Sequence, residues 1–265
     1  PSRMAEVLNR VIEKAFRGSA PAQINVPRDY WTQVIDIELP PIVRFERQGG
    51  GKEAIENAAK LLSKAKFPVI LSGAGVVLGG AIDECKKLAE KLDAPVCNGY
   101  QHNDSFPGSH PLAVGPLGYN GSKAAMELIS KADVVLALGT RLNPFSTLPG
   151  YGIDYWPKKA TIIQVDMNPD RIGLTKKVSV GICGDAKQVA QQILDKLSSD
   201  AGNTGREERK NLIHKTKSAW LQTLSGLDHE EDDPGTVWNK EARERDKDRM
   251  SPRQAWRAIQ DALPQ

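Results

Sequence analysis

Apolar residues between positions 52 and 197 recur in two rhythms that alternate along the chain. Short, largely apolar runs, typical of strands buried on both faces, lie at 68–72, 94–97, 133–138, 161–165 and 178–182. Between these runs apolar residues return every three or four positions, which predicts helices near 55–65, 82–92, 125–129 and 189–197. Strands joined by helices form parallel sheets, so the pattern predicts an α/β fold with a doubly wound parallel sheet over 52–198.

The segments outside this domain have other patterns. Residues 1–31 combine a helical repeat at 4–16 with an alternating run at 22–26, which predicts the C-terminal end of a neighbouring domain. Residues 32–51, rich in proline and glycine, are interpreted as a linker. A polar helix and a charged linker are expected over 199–250, and a new domain is expected to start at 251–265, where Ser251 and Pro252 open a helix. Because the sequence opens with Pro1, we expect a piece of a longer chain.

Composition and charge exclude several classes of protein. The chain has 265 residues, 40% hydrophobic and 26% charged, as is usual for globular proteins. Lys and Arg number 36 against 33 acidic residues, and no basic cluster with interleaved aromatic residues occurs, so we expect no nucleic-acid partner. Glycines interrupt the longest apolar stretch, so no membrane segment is expected. The spacing of Cys85, Cys97 and Cys183 favours buried, reduced thiols and a cytoplasmic location.

Ligands of doubly wound sheets bind outside the carboxyl ends of the strands, where this sequence places glycines and an arginine. Gly73 and Gly75 follow the first strand; they either let an anion approach the backbone and a helix start, or only make a tight turn. The position of a third glycine of a dinucleotide motif is held by Leu78. Gly139, Thr140 and Arg141 follow another strand, and the guanidinium could bind a phosphate or form a structural salt bridge.

Two carboxylates complete this predicted rim. Asp166 could accept from ribose hydroxyls or cap the short helix at 168–171, and Asp185 is well placed to cap the helix behind it. The residues of this possible nucleotide crevice are Gly73, Gly75, Gly139, Thr140, Arg141, Asp166 and Asp185.

The segment 98–121 is predicted to be a long loop, and loops of this length are usually functional. Its polar side chains could contact a small anion or a carbonyl group, or could order the loop through hydrogen bonds. These substrate-side candidates are His102, Asn103, Asp104, Ser105 and His110.

Six motifs, in this order, resemble the Rossmann-like central domain of thiamine-diphosphate enzymes of the acetohydroxyacid synthase type. They are PAQINVPRD (21–29), PVILSGAG (68–75), GPLGYNG (115–121), ADVVLALGTR (132–141), IIQVD (162–166) and GD (184–185). The runs HNDSFP (102–107), SHP (109–111), DYWP (154–157) and SVGICGD (179–185) are similar, more narrowly, to the sulfoacetaldehyde acetyltransferases. By this resemblance, 1–31 would end a pyrimidine-binding domain and 251–265 would begin a pyrophosphate-binding domain.

The resemblance implies an enzyme that uses thiamine diphosphate and Mg²⁺ to convert sulfoacetaldehyde and phosphate into acetyl phosphate and sulfite, as a homo-oligomer of the full-length protein. The family's activating glutamate and its metal-binding Gly-Asp-Gly with a later Asn have no match here, so the catalytic residues are expected in the flanking domains and this chain alone is expected to be inactive. FAD-carrying synthases have Gly-x-Arg-Phe-Asp-Asp-Arg where residues 139–145 read GTRLNPF, which argues against tight FAD binding. The alternatives are a related 2-oxo acid decarboxylase or carboligase, a non-catalytic nucleotide-binding module and an assembly domain.

Overall fold

Six parallel strands form the centre of the fold, in the spatial order β3-β2-β1-β4-β5-β6. This computed structural model describes residues 2–18, 20–39, 41, 46–226 and 252–263. The strands are β1 (Pro68–Ser72), β2 (Val96–Asn98), β3 (Ala113–Pro116), β4 (Val134–Leu138), β5 (Thr161–Asp166) and β6 (Val180–Cys183). The predicted doubly wound α/β fold is confirmed.

Helices cover both faces of the sheet, which is why its central strands are apolar without alternation. The helices are α1 (Met4–Gly18), α2 (Lys52–Lys64), α3 (Ala74–Leu78), α4 (Ile82–Leu92), α5 (Lys123–Ile129), α6 (Ala186–Lys196), α7 (Arg206–Gly226) and α8 (Pro252–Ala262). One buried cluster joins α2, α4 and α6 to one face of the sheet, and a second joins α5 to the other face. Strands β1 and β4 are buried along their whole length and pair from Pro68 with Val134 to Ser72 with Leu138.

Three sequence predictions need correction. The segment 98–121 is not a single loop, because Ala113–Pro116 forms the edge strand β3 beside β2. Residues 22–26 are not a strand: the structure describes them without a strand partner, and an alternating run forms a strand only where another strand pairs with it. Cys183 is not buried like Cys85 and Cys97 but is half-buried.

The chain divides into two compact units, Pro1–Ile213 and His214–Gln265. Within the first unit, packing continues beyond residue 198, since Ala201 and Ile213 belong to the two buried clusters. The boundaries of the parent domains stay a prediction. Residues 227–250 of the segment predicted at 199–250 as a polar helix and charged linker, and the residue Ser251 predicted to open the next helix, lie outside the described residues.

A buried arginine fixes the start of α7 on the first unit. Arg209 is 1% exposed, and its guanidinium donates five hydrogen bonds of 2.6–2.9 Å to backbone carbonyls. The acceptors are the carbonyls of Lys66, Leu92, Asp93, Gly202 and Thr204. All five N–H donors are therefore satisfied without a carboxylate. Burial lowers the pKa of Arg209, although the charge of Asp93 opposes this.

Among the described residues, none of the helices combines the length and apolar character that crossing a membrane requires.

Candidate functional site

The predicted rim residues lie at the carboxyl edge of four neighbouring strands, β1, β4, β5 and β6. Gly73 follows β1, and the segment Gly139 to Arg141 follows β4. Asp166 is the last residue of β5, and Asp185 lies two residues beyond β6. The parallel topology therefore brings these elements to one edge, as a doubly wound sheet requires.

The two glycines after β1 pack against the loop after β4. The amide of Gly73 donates to the carbonyl of Leu138 (3.1 Å), and the amide of Gly75 donates to the carbonyl of Gly139 (2.8 Å). A Cβ added at Gly73 would lie 2.6 Å from the Cβ of Thr140, and one added at Gly75 would lie 2.7 Å from the Cα of Gly139. Both amides are used inside the fold, so they are not donors for an anion.

Arg141 projects from a loop whose backbone is held in an unusual conformation. Leu142 has a φ of 53°, in the left-handed region, while its side chain is 1% exposed. The Thr140 hydroxyl accepts from the amide of Leu142 (3.3 Å). Arg141 itself is exposed and, within the described part of the chain, makes no hydrogen bond or ion pair. The salt bridge considered from the sequence is thus not seen among these residues.

Asp166 orders the turn that follows β5. Its Oδ1 accepts from the amide of Asn168 (2.9 Å), and the side chain of Asn168 accepts from the amide of Asp170 (3.0 Å). Asn168, rather than Asp166, therefore caps the short helix Pro169–Arg171. Burial raises the pKa of Asp166, while the Asn168 amide and the charges of Arg171 and Arg141 partly oppose that shift.

Asp185 is engaged on both of its oxygens. Its Oδ1 accepts from the amides of Lys187 and Gln188, so the predicted helix-capping role is confirmed. Its Oδ2 accepts from the Nη1 of Arg47 at 2.9 Å, and its own amide donates to the carbonyl of Gln48. The linker residues 46–51 thus close over the carboxyl end of β6. No pattern in the sequence indicates the part that Arg47 plays.

In the 102–105 segment, Ser105 is fully buried at the centre of a hydrogen-bond network. The Ser105 hydroxyl donates to the carbonyl of His102 (2.8 Å) and accepts from the Asn98 amide (2.9 Å). The Ser72 hydroxyl donates to the carbonyl of Ser105 (3.2 Å). These bonds hold the short helix Asn103–Ser105 beside the ends of β1 and β2, while Asn103 and Asp104 stay exposed.

His102 and His110 occupy different environments. His102 is half-buried, with its Nδ1 3.6 Å from the Oδ1 of Asp104. His110 lies against α4, where its Nε2 is 3.2 Å from the Oε1 of Glu90. Its Nδ1 accepts from the amide of Leu112, and its ring contacts Phe106 edge-on. These contacts assign His110 to the ordering of the loop.

One buried side chain at the rim was missed from the sequence. Gln164 is 1% exposed on β5, and its amide bonds to the loops after β4 and after β5. A polar residue inside the apolar run TIIQVD is the signal that could have found it, because a buried amide requires hydrogen-bond partners.

Across the residues that the structure describes, no group of three or more His, Cys, Asp or Glu side chains is placed to hold a metal ion.

Comparison with known proteins identifies the family. Residues 55–193 match the family model described as "Thiamine pyrophosphate enzyme, central domain". Over 264 residues the chain is 78% identical to the probable sulfoacetaldehyde acetyltransferase of Rhizobium meliloti strain 1021, covering 100% of this chain and 45% of the relative. It is 76% identical over 264 residues to the sulfoacetaldehyde acetyltransferase of Roseovarius nubinhibens, covering 100% of this chain and 44% of that relative. The chain spans less than half of these relatives.

More distant matches share the fold. The probable acetolactate synthase large subunit of Methanocaldococcus jannaschii is 34% identical over 235 residues, which are 86% of this chain and 37% of that protein. The crystal structure of benzoylformate decarboxylase from Polynucleobacter necessarius superposes with a TM-score of 0.63 at 22% identity, covering 77% of this chain and 38% of that chain. At this identity the structural likeness shows the fold alone.

Proposed function

We propose that this chain, which belongs to the thiamine pyrophosphate enzymes and contains their central domain, is part of a sulfoacetaldehyde acetyltransferase. The whole protein would convert sulfoacetaldehyde and phosphate into acetyl phosphate and sulfite. We place it in the cytoplasm as a homo-oligomer.

The observation that carries this proposal is the 78% identity over 264 residues to a protein of that name. Identity stays at 76% and 65% in two further proteins named sulfoacetaldehyde acetyltransferase and falls to 34% in a probable acetolactate synthase. The difference favours the acetyltransferase over the 2-oxo acid carboligase that we considered as an alternative.

The residues that the structure describes do not fit the thiamine diphosphate and Mg²⁺ that the proposed reaction uses. A divalent cation with a diphosphate needs a set of oxygen ligands, and the described residues gather no acidic cluster of that kind. The Asp185 carboxylate, the acidic group of the Gly-Asp pair, is already bonded to Arg47 and to two helix amides. We therefore assign the cofactor site to the part of the relatives' length that this chain does not span.

Within the chain, we propose that the carboxyl edge of the sheet binds an anionic small molecule through Arg141, with Asp166 beside it. Gly73, Gly75, Gly139 and Thr140 would shape this edge through backbone packing, and Asp185 would hold the linker in place. The segment containing His102, Asn103, Asp104, Ser105 and His110 would face the neighbouring domains on the substrate side. A bound FAD is not part of the proposal, because two acidic residues of the synthase motif are replaced by Asn143 and Pro144.

The test is an assay of the full-length protein with sulfoacetaldehyde, phosphate, thiamine diphosphate and Mg²⁺. We expect sulfite and acetyl phosphate to form in equal amounts and no acetolactate to form from pyruvate. The 265-residue chain alone serves as the matched control and should give no turnover. Acetolactate formation without sulfite release would overturn the proposal in favour of a carboligase.

A further inference from the structure

Two loops at the carboxyl edge of the sheet are joined by one buried side chain. The Nε2 of Gln164 donates to the carbonyls of Thr140 and Arg171, at 3.2 Å each. Its Oε1 accepts from the amide of Gly173 (2.9 Å). A single amide group, carried by a buried side chain, therefore links the loop after β4 to the loop after β5.

A second bond links the same two loops. The hydroxyl of Thr175 donates to the carbonyl of Leu142 at 2.6 Å. Leu142 is the residue in the left-handed conformation, and its side chain is buried in the core. A non-glycine residue in this conformation costs free energy and persists only where the surroundings hold it. Thr175 and the buried leucine side chain supply that support.

The joined loops carry two arginines next to the bonded carbonyls. Arg141 follows Thr140 directly, and Arg171 carries one of the carbonyls that Gln164 binds. Among the described residues neither guanidinium forms an ion pair within 4.0 Å. Asp166, two residues from Gln164 and so on the same face of β5, accepts from the amide of Asn168. The charges of Arg141 and Arg171 both act on the Asp166 carboxyl and partly oppose the rise that burial causes in its pKa, so both guanidinium groups lie near this carboxylate at the same part of the edge.

We propose that Gln164 and Thr175 are positioning residues, together called the rim clamp, that hold Arg141 and Arg171 as a two-guanidinium receptor for a tetrahedral oxyanion. Guanidinium groups bind phosphate and sulfonate oxygens through paired, charge-assisted hydrogen bonds, and such geometry depends on a fixed backbone. The choice of ligand rests on the proposed function, since sulfoacetaldehyde and phosphate both carry such a group. The existence of the clamp does not rest on the proposed function.

The test is calorimetric titration of the 265-residue chain with three probes: inorganic phosphate, 2-hydroxyethanesulfonate and ADP. We expect at least one probe to bind, and Arg141→Ala and Arg171→Ala each to weaken its binding about tenfold or more. Tightest binding of phosphate, of the sulfonate or of ADP supports the receptor in each case and identifies the source of the oxyanion. If none of the probes binds the wild type, the receptor is refuted.

The clamp is tested with a pair of variants at Thr175. Thr175→Val keeps the size but loses the bond to Leu142, and should weaken binding about fivefold or more; Thr175→Ser keeps the hydroxyl and should restore it. Thr223→Val is the matched control, because that hydroxyl also bonds to a backbone carbonyl, on α7. In the Arg141→Ala background, Thr175→Val should have a smaller effect, since it acts through the arginine.

Two results would test the positioning role of the clamp separately from the arginine receptor and from the proposed function. If Thr175→Val binds like the wild type while Arg141→Ala does not, the receptor stands and the positioning role is refuted. If Gln164→Met and Thr175→Val weaken binding only in proportion to a fall in melting temperature, their role is general stability and the clamp is also refuted. The assay of sulfite release by the full-length protein is independent of both results.

Discussion

The amide of Gly75 donates to the carbonyl of Gly139 across 2.8 Å, so that the loops after β1 and β4 touch backbone to backbone. Neither residue leaves room for a side chain on the other: a Cβ on Gly139 would lie 2.7 Å from the Cα of Gly75. Gly139 also has a φ of 61°, which disfavours any other residue. This contact explains why Gly75 and Gly139 are both glycines.

Gly75→Ala should therefore destabilise the fold by about 2–3 kcal/mol, because the added methyl group overlaps backbone atoms that have no room to move. Denaturant unfolding would measure the change. Gly108→Ala is the control, since no atom lies within 4 Å of its Cβ position, and it should leave stability nearly unchanged. Equal stability of the two variants would contradict the packing role.

Arg209→Met should cost roughly 3 kcal/mol or more, because it removes the donor of five backbone carbonyl groups, two of them, on Leu92 and Gly202, in buried bonds. Arg209→Lys should also destabilise, since an ammonium group has three donors and lacks the planar fork. Thermal unfolding would compare both with Lys210→Met, which removes a neighbouring exposed side chain paired with Glu207. A stability of Arg209→Met close to that of Lys210→Met would show that water replaces the guanidinium.

The order and type of the central elements could be predicted from the sequence because burial on both faces leaves apolar runs that few other structures produce. The strand β3 could not be predicted from the sequence, because Ala113–Pro116 is short, ends in proline and lies at the edge of the sheet, where only one strand pairs with it. The strand predicted at 22–26 is wrong for a different reason: its residues do alternate, but such a run forms a strand only where another strand pairs with it.

For the site, the sequence could place residues at the ends of strands but not assign their contacts. Gly73, Arg141 and Asp166 meet at one edge, as the parallel topology requires. That the glycine amides are already bonded, and that Gln164 joins two loops, depends on contacts between residues far apart in sequence. No local pattern encodes such contacts.

Thiol reactivity should differ sharply among the three cysteines. Burial raises the pKa of Cys85 to about 12 and also raises that of Cys97, and both are inaccessible. Cys183 is half-buried, so it should react first with iodoacetamide in the native protein, although burial and the charge of Asp166 raise its pKa. Mass spectrometry of the alkylated native protein would measure this, with denatured protein as the control in which all three react. Native labelling of Cys97 at the rate of Cys183 would contradict the packing of β2.

The stability of the fold should respond to pH through Asp166. Burial raises the pKa of this carboxyl in the folded state, so the folded protein retains the proton to higher pH than the unfolded chain. Its contribution to stability is therefore complete below the unfolded pKa and is lost as the pH rises through the folded pKa. Asp166→Asn keeps an oxygen for the Asn168 amide but cannot ionise. Its stability relative to the wild type should rise as the pH rises from below the unfolded pKa of the carboxyl through its raised folded pKa.

Urea unfolding of both proteins across that range would measure the difference, with Asp170→Asn as the control for loss of an exposed carboxylate on the same turn. A difference between Asp166→Asn and the wild type that stays constant with pH would mean that the Asp166 carboxyl is better solvated than its burial indicates.

Substitutions at Ser105 and His102 should distinguish a structural role from a ligand-facing role within the same loop. The Ser105 hydroxyl bonds to the carbonyl of His102 and to Asn98, and it is fully buried. Ser105→Ala should therefore destabilise the chain by about 1–3 kcal/mol, since it leaves buried polar groups unpaired. The half-buried ring of His102 lies 3.6 Å from the carboxylate of the exposed Asp104, so His102→Ala should change stability by less than about 0.5 kcal/mol. In the full-length protein, His102→Ala should lower sulfoacetaldehyde turnover if this loop faces the substrate. If His102→Ala changes neither turnover nor stability, His102 lies outside the active site. If Ser105→Ala is as stable as the wild type, the hydrogen-bond network around Asn98 re-forms without the hydroxyl.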